Sequence, residues 1–230
     1  MADYAHPEML VEGDWLEAHF EDGNLRVVDC DPPDAYKRVH IPGAVNPSDN
    51  FMKNPDDRRF IMTPEQFTAE MARLGIGDDT LVVSYDAGST TAGRLWWCLN
   101  YYGHTNAKVL NGGWNTWLKQ GRPVTMEQPK LSASTPFTTR ANNTLYATAE
   151  QIMAELEKPD VVVLDVRSDG EWDGSNKRGN KRGGHIPGAV HLEWTNNLTA
   201  DDEKRWKSAD ELREMYAACG ITPDKQIVTV

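Results

Sequence analysis

Cysteine is scarce in this chain of 230 residues, and the way it is distributed argues against several classes of protein. Only Cys30, Cys98 and Cys219 are present, and no two of them are close in sequence. An odd number at such wide spacing argues against a disulfide framework and against a Cys-x-x-Cys metal site. Each cysteine lies in an apolar stretch, which predicts buried structural thiols. We therefore expect neither a metal ion nor a cofactor.

Long apolar runs and an excess of positive charge are also missing. No apolar run approaches the roughly 20 residues that span a bilayer, so we expect no membrane contact. Residues 1–7 lack the basic and apolar segments of a secretory signal, and together with the few cysteines this predicts a cytoplasmic protein. The 24 Lys and Arg residues face 35 Asp and Glu residues, a formal net charge of −11. This balance argues against nucleic-acid binding but leaves a local pocket for a small anion possible.

What the sequence does contain is a repeated hexapeptide. His-Ile-Pro-Gly-Ala-Val at residues 40–45 returns at residues 185–190, an offset of 145 residues (185 − 40). Pro fixes φ and Gly permits backbone angles that other residues resist, so Pro-Gly marks a tight turn. A single long offset predicts two copies of one domain, because solenoid repeats recur every few tens of residues. Since both copies carry the histidine, we interpret His40 and His185 as braces of the turn.

Apolar strands alternate with helices in both copies, which predicts an α/β fold with a mainly parallel sheet and helices on both faces. Strands are predicted at residues 25–29, 81–85, 109–110, 161–165 and 226–230. Helices are predicted at residues 8–20, 63–74, 94–103, 114–118, 148–156 and 208–219. Residues 31–34 and 47–59 read as loops. Residues 1–123 form the first predicted domain, the Thr-, Ser- and Pro-rich residues 124–145 a linker, and residues 146–230 the second.

The loop after the strand at residues 81–85 is the candidate chemical site. Ligands of open parallel sheets bind at the carboxyl ends of strands, and this loop runs directly into a helix whose amide groups stabilise an anion. A cysteine at the first loop position would have a lowered pKa and be a good nucleophile. The first copy holds Asp86 there. A carboxylate would repel an anionic donor, so we interpret the first copy as structural.

The offset of 145 residues pairs Val230 with Tyr85, so the position equivalent to Asp86 falls immediately after Val230. We expect the nucleophilic cysteine of the second copy at that position, outside this chain. We also expect the residues equivalent to 86–122 to be supplied by a longer polypeptide or by a complementary C-terminal fragment. Without them, the strand at residues 226–230 would present an exposed apolar edge.

These segments resemble the tandem-domain rhodaneses, the thiosulfate and 3-mercaptopyruvate sulfurtransferases. The matching segments of the first copy are residues 27–29, 40–44, 83–86, 110–114 and 117–118, and those of the second are 164–168, 171–172, 184–190 and 193–194. The resemblance implies an inactive first domain with Asp86 in place of the nucleophile. It also implies a second domain whose cysteine takes the outer sulfur of thiosulfate as a persulfide and passes it to cyanide or a thiol. A small anionic sulfur donor and a thiol or cyanide acceptor are the implied partners.

The resemblance also implies which side chains border the pocket. It places Arg167 beside the active loop, although Arg167 is also positioned to brace the loop through Asp165 or Glu171. Trp194 is the expected wall of the pocket, with a plain core tryptophan as the alternative. Glu171 occupies a position where some relatives have a basic substrate-binding residue. Lys177, Arg178, Lys181 and Arg182 either attract an anionic donor or form a solvated loop.

Three other functions compete with thiosulfate transfer. The resemblance implies 3-mercaptopyruvate as the donor if the loop after Val230 is rich in Ser, Gly and Thr, and thiosulfate if that loop is basic. A non-catalytic sulfur-binding or interaction module would lack the cysteine altogether. A phosphatase of related fold would have a longer loop and would rarely be duplicated in tandem.

Overall fold

The computed structural model describes residues 4–88, 90–131 and 135–230. Contacts divide these residues into two compact units. The first unit contains His6–Leu145 and, from the second repeat, the short segment Asp201–Arg205. The second unit contains Tyr146–Ala200 and Trp206–Val230 together with the start of the chain. Both units have parallel sheets flanked by helices, which confirms the predicted α/β class.

The first unit is built on a four-stranded parallel sheet in the order β1-β4-β3-β2. The strands are β1 (Leu10–Val11), β2 (Leu25–Asp29), β3 (Leu81–Tyr85) and β4 (Ala107–Leu110). The helices are α1 (Gly13–Ala18), α2 (Pro33–Arg38), α3 (Pro64–Arg73), α4 (Thr91–Tyr101) and α5 (Gly113–Lys119), with 3-10 turns at Pro7–Met9 and Asn143–Leu145. The predicted strands at 25–29 and 81–85 are confirmed at their exact bounds.

Three predictions for this unit were wrong in detail. The predicted helix at 8–20 starts only at Gly13, because Leu10 and Val11 pair with β4 as an edge strand and Val11 is buried there. Helix α2 begins inside the predicted loop at 31–34, with Pro33 at its first position, where the missing N–H of proline costs no hydrogen bond. Helix α4 begins three residues before the predicted Arg94, at Thr91.

Two hydrophobic clusters account for the apolar character of the strands on both faces. Val28 and Val82 belong to one cluster, and their neighbours Val27 and Val83 belong to the other. Alternate residues of a strand point to opposite faces, so the sheet is buried on both sides, as a parallel sheet requires.

Residues 124–145 have no helix or strand in their described part apart from the 3-10 turn at Asn143–Leu145. Phe137 is nevertheless buried in the core of the first unit, where its ring contacts Phe67 and His104. Thr125 forms an isolated bridge with His40. The segment is thus packed against the first unit over part of its length, and the predicted domain limits of 1–123 and 146–230 stay predictions.

The second unit has a three-stranded parallel sheet in the order β6-β5-β7. Its strands are β5 (Val161–Asp165), β6 (Val190–His191) and β7 (Gln226–Thr229), and its helices are α6 (Ala149–Glu155), α7 (Asp169–Trp172) and α8 (Ala209–Ala218), with a 3-10 turn at Trp194–Asn197. Thr148 and Ser208 cap α6 and α8 through reciprocal bonds with a residue three positions on, as Thr63 caps α3. These caps explain why the three helices begin where the sequence predicts.

The repeated hexapeptide forms the same turn in both units. Its glycine has a positive φ in each, 77° at Gly43 and 83° at Gly188. Its histidine bonds through Nδ1 to the carbonyl oxygen of an aromatic residue and stacks on that residue's ring: His40 on Tyr36 and His185 on Trp172, both with bonds of 2.8 Å. The bracing role predicted for the two histidines is therefore confirmed.

Candidate functional site

The loop that follows β3 holds an internal anion, the carboxylate of Asp86. One carboxylate oxygen accepts the Gly88 amide at 2.8 Å, and the other accepts the Ala92 amide at 2.7 Å and the Thr91 hydroxyl at 3.2 Å. Helix α4 begins at Thr91, so its positive end adds to these donors. Asp86 is only 6% exposed. The first unit thus contains the amide cradle that the sequence predicts, filled by its own side chain.

The turn between β4 and α5 supports this cradle through a backbone hydrogen bond. The Trp114 amide donates to the carbonyl oxygen of Asp86 at 2.9 Å. Gly112 and Gly113 both have positive φ, 77° and 49°. A Cβ on Gly113 would lie 2.1 Å from that carbonyl oxygen, a separation that no side chain tolerates. Glycine is required at position 113 because any Cβ atom there would clash with the Asp86 carbonyl oxygen of the cradle.

Replacing Gly113 with alanine is therefore expected to destabilise the first unit. Overpacking against backbone costs about 1–3 kcal/mol, and the positive φ adds about 1 kcal/mol. Urea unfolding followed by tryptophan fluorescence would measure the loss. Gly93→Ala is the matched control, because Gly93 lies in helix α4 with open space around its Cβ position, and it should be neutral or slightly stabilising. Equal stabilities of the two variants would contradict the proposed support.

Two further carboxylates make the cradle of the first unit acidic. Asp31 accepts the Ala87 amide of the loop at 3.1 Å, and Asp29 accepts the Tyr85 hydroxyl at 2.6 Å and the Asp31 amide at 2.9 Å. Burial, with the charges of Asp29 and Asp86 nearby, raises the pKa of Asp31 to about 6. An anionic sulfur compound would be repelled here, which agrees with a structural role for the first copy.

The raised pKa of Asp31 predicts how stability depends on pH. The folded value of about 6 lies above the ordinary 3.8, so protonation stabilises the fold, and this stabilisation is lost as pH rises through 6. Asp31→Asn removes the charge at every pH. Between pH 5 and pH 7.5, we expect the variant to gain about 1 kcal/mol relative to the natural chain in urea unfolding. Asp34→Asn, at an exposed position of α2, is the control, and a constant difference across this pH range would contradict the prediction.

In the second unit, Arg167 lies at the carboxyl end of β5 and forms a two-pronged pair with Asp165. Its Nε and Nη2 atoms donate to the two carboxylate oxygens at 2.9 Å and 2.5 Å, and Nη2 also donates to the Gly184 carbonyl oxygen at 3.0 Å. Asp165 is fully buried, and the Arg167 side chain is 36% exposed. Burial would raise the pKa of Asp165, but the hydrogen bonds from Arg167 outweigh it and leave that pKa below its ordinary value.

Arg167 and Asp31 occupy equivalent places in the two copies. The Arg167 amide donates to Asp165 at 3.1 Å, as the Asp31 amide donates to Asp29 at 2.9 Å. Asp31 contacts the cradle loop of its own unit. At this equivalent place the second copy thus carries a positive charge where the first copy carries a carboxylate.

Trp194 begins the 3-10 turn at Trp194–Asn197, and its amide donates to the Val166 carbonyl oxygen at 3.0 Å. Arg167 and Trp194 are therefore brought to the same edge of the sheet, and Trp194 is half-buried. Their roles in substrate binding stay predictions.

Trp172 and His191 were not singled out from the sequence as site residues, although His191 contacts Arg167 and Trp172 stacks on His191. The ring of Trp172 is stacked on both His185 and His191, with ring centres 3.5 Å and 4.9 Å away. The Nε2 atom of His191 bonds to the Arg167 carbonyl oxygen at 2.9 Å. The available signal was the position of His191 directly after the hexapeptide, because β6 places it beside the end of β5.

Within residues 4–88, 90–131 and 135–230, no helix combines the length and apolar character needed to cross a membrane. The same residues contain no group of three or more His, Cys, Asp and Glu side chains suited to a metal ion.

A parallel sheet whose third strand leads through an amide cradle into a helix defines a class of α/β proteins that hold an anion at a strand end. The family profile described as "Rhodanese-like domain" matches residues 12–120 and 148–230. The chain belongs to the rhodanese-like family, and the resemblance seen in its sequence is confirmed.

Similar proteins span nearly the whole chain. The "Sulfur carrier protein TtuD" of Thermus thermophilus is 36% identical over 98% of this chain and 82% of its own length. A "Putative thiosulfate sulfurtransferase SseA" of Mycobacterium bovis is 35% identical, covering 99% of this chain and 78% of that protein. The "Thiosulfate sulfurtransferase" of Gallus gallus is 34% identical, covering 90% and 76%.

Solved structures give the same picture. The 3-mercaptopyruvate sulfotransferase SseA of Escherichia coli has a TM-score of 0.83 and 25% identity, covering 96% of this chain and 87% of that one. YnjE has a TM-score of 0.86 and 26% identity, covering 100% and 60%. These relatives support a sulfurtransferase activity, which involves a sulfur donor and a sulfur acceptor.

Proposed function

We propose that this chain contributes to a thiosulfate sulfurtransferase that works through a cysteine persulfide. The main observation that supports this proposal is the cradle of the first unit, in which two amides and a hydroxyl bind the carboxylate of Asp86. In the proposal, the second repeat has the same cradle, with a cysteine immediately after Val230 in place of the aspartate. Amides that bind a carboxylate also favour a thiolate, because both are anions.

The proposed reaction is a sulfur relay in two steps. The cysteine thiolate attacks the outer sulfur of thiosulfate, the sulfur–sulfur bond of the donor breaks, and sulfite leaves with the bonding electrons. Cyanide or a thiol then attacks the outer sulfur of the persulfide and regenerates the thiolate. Both steps move negative charge near the cradle, where preorganised amides are most effective.

Arg167 and Trp194 are the proposed substrate-binding residues. The Asp165 carboxylate holds the Arg167 guanidinium in one orientation, and the exposed part of the side chain faces solvent. That orientation suits the oxygens of a small sulfur-containing anion. Trp194 is the proposed wall of the pocket, and Asp86 is the proposed inactive counterpart of the nucleophile.

The outer edge of β7 supports a complementary C-terminal segment as partner. In the first unit, β3 lies between β2 and β4, whereas the equivalent β7 pairs with β5 alone among the described strands. Ile227 of β7 is 37% exposed, whereas Val82, at the equivalent place in β3, is fully buried. We propose that a strand and helices like β4, α4 and α5 cover this edge. Mass spectrometry of the purified sample tests this proposal, because a single species of 25.8 kDa with no companion fragment would refute it.

A thiocyanate assay with thiosulfate and cyanide tests the enzyme itself. We expect turnover when the complement is present, and its absence under those conditions would refute the proposal in favour of a non-catalytic module. The same assay with 3-mercaptopyruvate tests the second candidate donor, which the similarity to the Escherichia coli protein favours. We also propose a cytoplasmic location, which fractionation of cells would test.

A further inference from the structure

A basic loop, residues 175–182, is the strongest feature that the proposed reaction leaves unused. It contains Lys177, Arg178, Lys181 and Arg182 and no acidic residue, in a chain whose formal net charge is −11. All four cationic residues are exposed. The loop belongs to the second repeat only, because His185 follows Asp165 by 20 residues, whereas His40 follows Asp29 by 11.

Gly174, Gly183 and Gly184, at the base of the basic loop, allow its two ends to approach each other closely. A Cβ on Gly174 would lie 2.9 Å from the Gly184 nitrogen, and one on Gly183 would lie 2.7 Å from the Gly174 oxygen. Gly174 and Gly184 also have positive φ values of 84° and 98°. The two ends of the loop are therefore in backbone contact, which is the form of compact surface loops that often carry function.

The basic loop is fixed to the ligand edge of the sheet. The Gly184 carbonyl oxygen accepts Arg167 Nη2 at 3.0 Å, so the base of the loop is bonded to the proposed substrate-binding residue. Arg178 has a φ of 46° and pairs with Glu171 at 3.3 Å. Lys177, Lys181 and Arg182 form no ion pair with the residues that the structure describes. Their charges are thus available to a partner in solution.

We infer that the basic loop is a docking element for an acidic protein surface, that of the sulfur acceptor. Three cations of one exposed loop, with no ion pair among the residues that the structure describes, exceed what a small dianion needs, and they match an extended acidic surface. Single-stranded nucleic acid is the less suitable polyanion, because such sites alternate cations with aromatic rings and residues 174–184 contain no aromatic side chain. The inference rests on the proposed function for the nature of the cargo, but docking is measurable without turnover.

Fluorescence anisotropy tests the inference with labelled polyglutamate of about 20 residues at low and at physiological salt. We expect K177Q/K181Q/R182Q to bind at least about fivefold more weakly than the natural chain at low salt, with a smaller salt dependence. K37Q/R38Q/K130Q removes the same charge from exposed positions of the first unit and should bind like the natural chain. K181Q alone should show a smaller loss in the same direction.

Three results would overturn the inference. The first is equal binding of polyglutamate by the loop variant and the natural chain. The second is tighter binding of a 20-nucleotide single-stranded RNA than of polyglutamate, with the RNA binding lost in the loop variant. The third is release of polyglutamate by thiosulfate but not by sodium chloride of equal ionic strength, which would assign the loop to small anions. Each result is independent of the thiocyanate assay, so failure of the docking and failure of the enzyme proposal are distinguishable.

Discussion

Replacing Arg167 with methionine is expected to destabilise the second unit by about 2–3 kcal/mol. Removing one partner of a buried ion pair costs about 3–5 kcal/mol because the other charge is left uncompensated, and the partial exposure of Arg167 reduces this cost. Without the guanidinium, burial would raise the pKa of Asp165. The loss of stability relative to the natural chain should therefore be larger at pH 7.5 than at pH 5, whereas in the natural chain the lowered pKa makes the Asp165 contribution fall only in acid, below the ordinary value of 3.8.

Urea unfolding at the two pH values, with hydrogen exchange of the β5 amides, measures this effect. The matched control is Arg213→Met, which removes an arginine from an exposed pair with Asp210 and should cost at most about 0.5 kcal/mol. A loss in R167M as small as in the control would refute the buried-pair interpretation. So would a difference in stability between variant and natural chain that is equal at the two pH values.

The double variant D165N/R167M separates bracing from substrate binding in the complete enzyme. It leaves no buried charge, so most of the stability should return. If Arg167 binds the donor, kcat/KM for thiosulfate should stay about 100-fold low in both variants, because the anion has lost a charged hydrogen-bond partner. Recovery of kcat/KM together with stability would show that Arg167 only braces the loop.

Replacing Asp86 with asparagine is expected to destabilise the first unit by about 2 kcal/mol. The asparagine side chain has one acceptor oxygen and an NH₂ group, so it cannot satisfy the donors from both Gly88 and Ala92. Each unsatisfied buried donor costs about 1–3 kcal/mol, and relief of repulsion with Asp31 returns part of this. The same relief should lower the pKa of Asp31 below about 6.

The free energy of unfolding as a function of pH reports both effects in one experiment. Asp57→Asn is the control, because Asp57, like Asp86, accepts a backbone amide. Asp57 accepts the amide of Arg59, pairs with the Arg59 side chain and lies on an exposed loop. We expect that control to unfold at the natural urea concentration. If D86N were as stable as D57N at every pH, the amide cradle would not be an anion site, and the main support for the proposed function would fall.

The sequence predicts most closely those parts of the fold that local chemistry determines. The strands β2, β3 and β5 have the predicted bounds because each is an apolar run that ends at a polar residue or before a loop. Helix α3 starts as predicted because Thr63 and Gln66 cap it reciprocally. The turn at Gly43 follows from the Pro-Gly pair, which allows few other conformations.

The parts that could not be predicted depend on contacts distant in sequence. Leu10 and Val11 are a strand only because β4, about 100 residues later, offers a free edge. Phe137 lies in a polar segment without periodicity, yet the core of the first unit buries it. At the site, proximity in sequence suggested that Arg167 pairs with Asp165, but the bond to Gly184 depends on the folded loop.

The buried carboxylate at the end of the first long strand of each unit is held by a different partner. In the first unit, Asp29 is held by the phenol of Tyr85, which also accepts the Ile41 amide of the turn. In the second unit, Asp165 is held by the guanidinium of Arg167, which also bonds to Gly184 just before the turn. Two copies of one domain can therefore differ in the group that binds this carboxylate, a phenol or a guanidinium, while the strand and the turn stay the same. The guanidinium places a positive charge at the carboxyl end of the strand, where the first copy has the carboxylate of Asp31. A few substitutions can thus give tandem copies unequal roles.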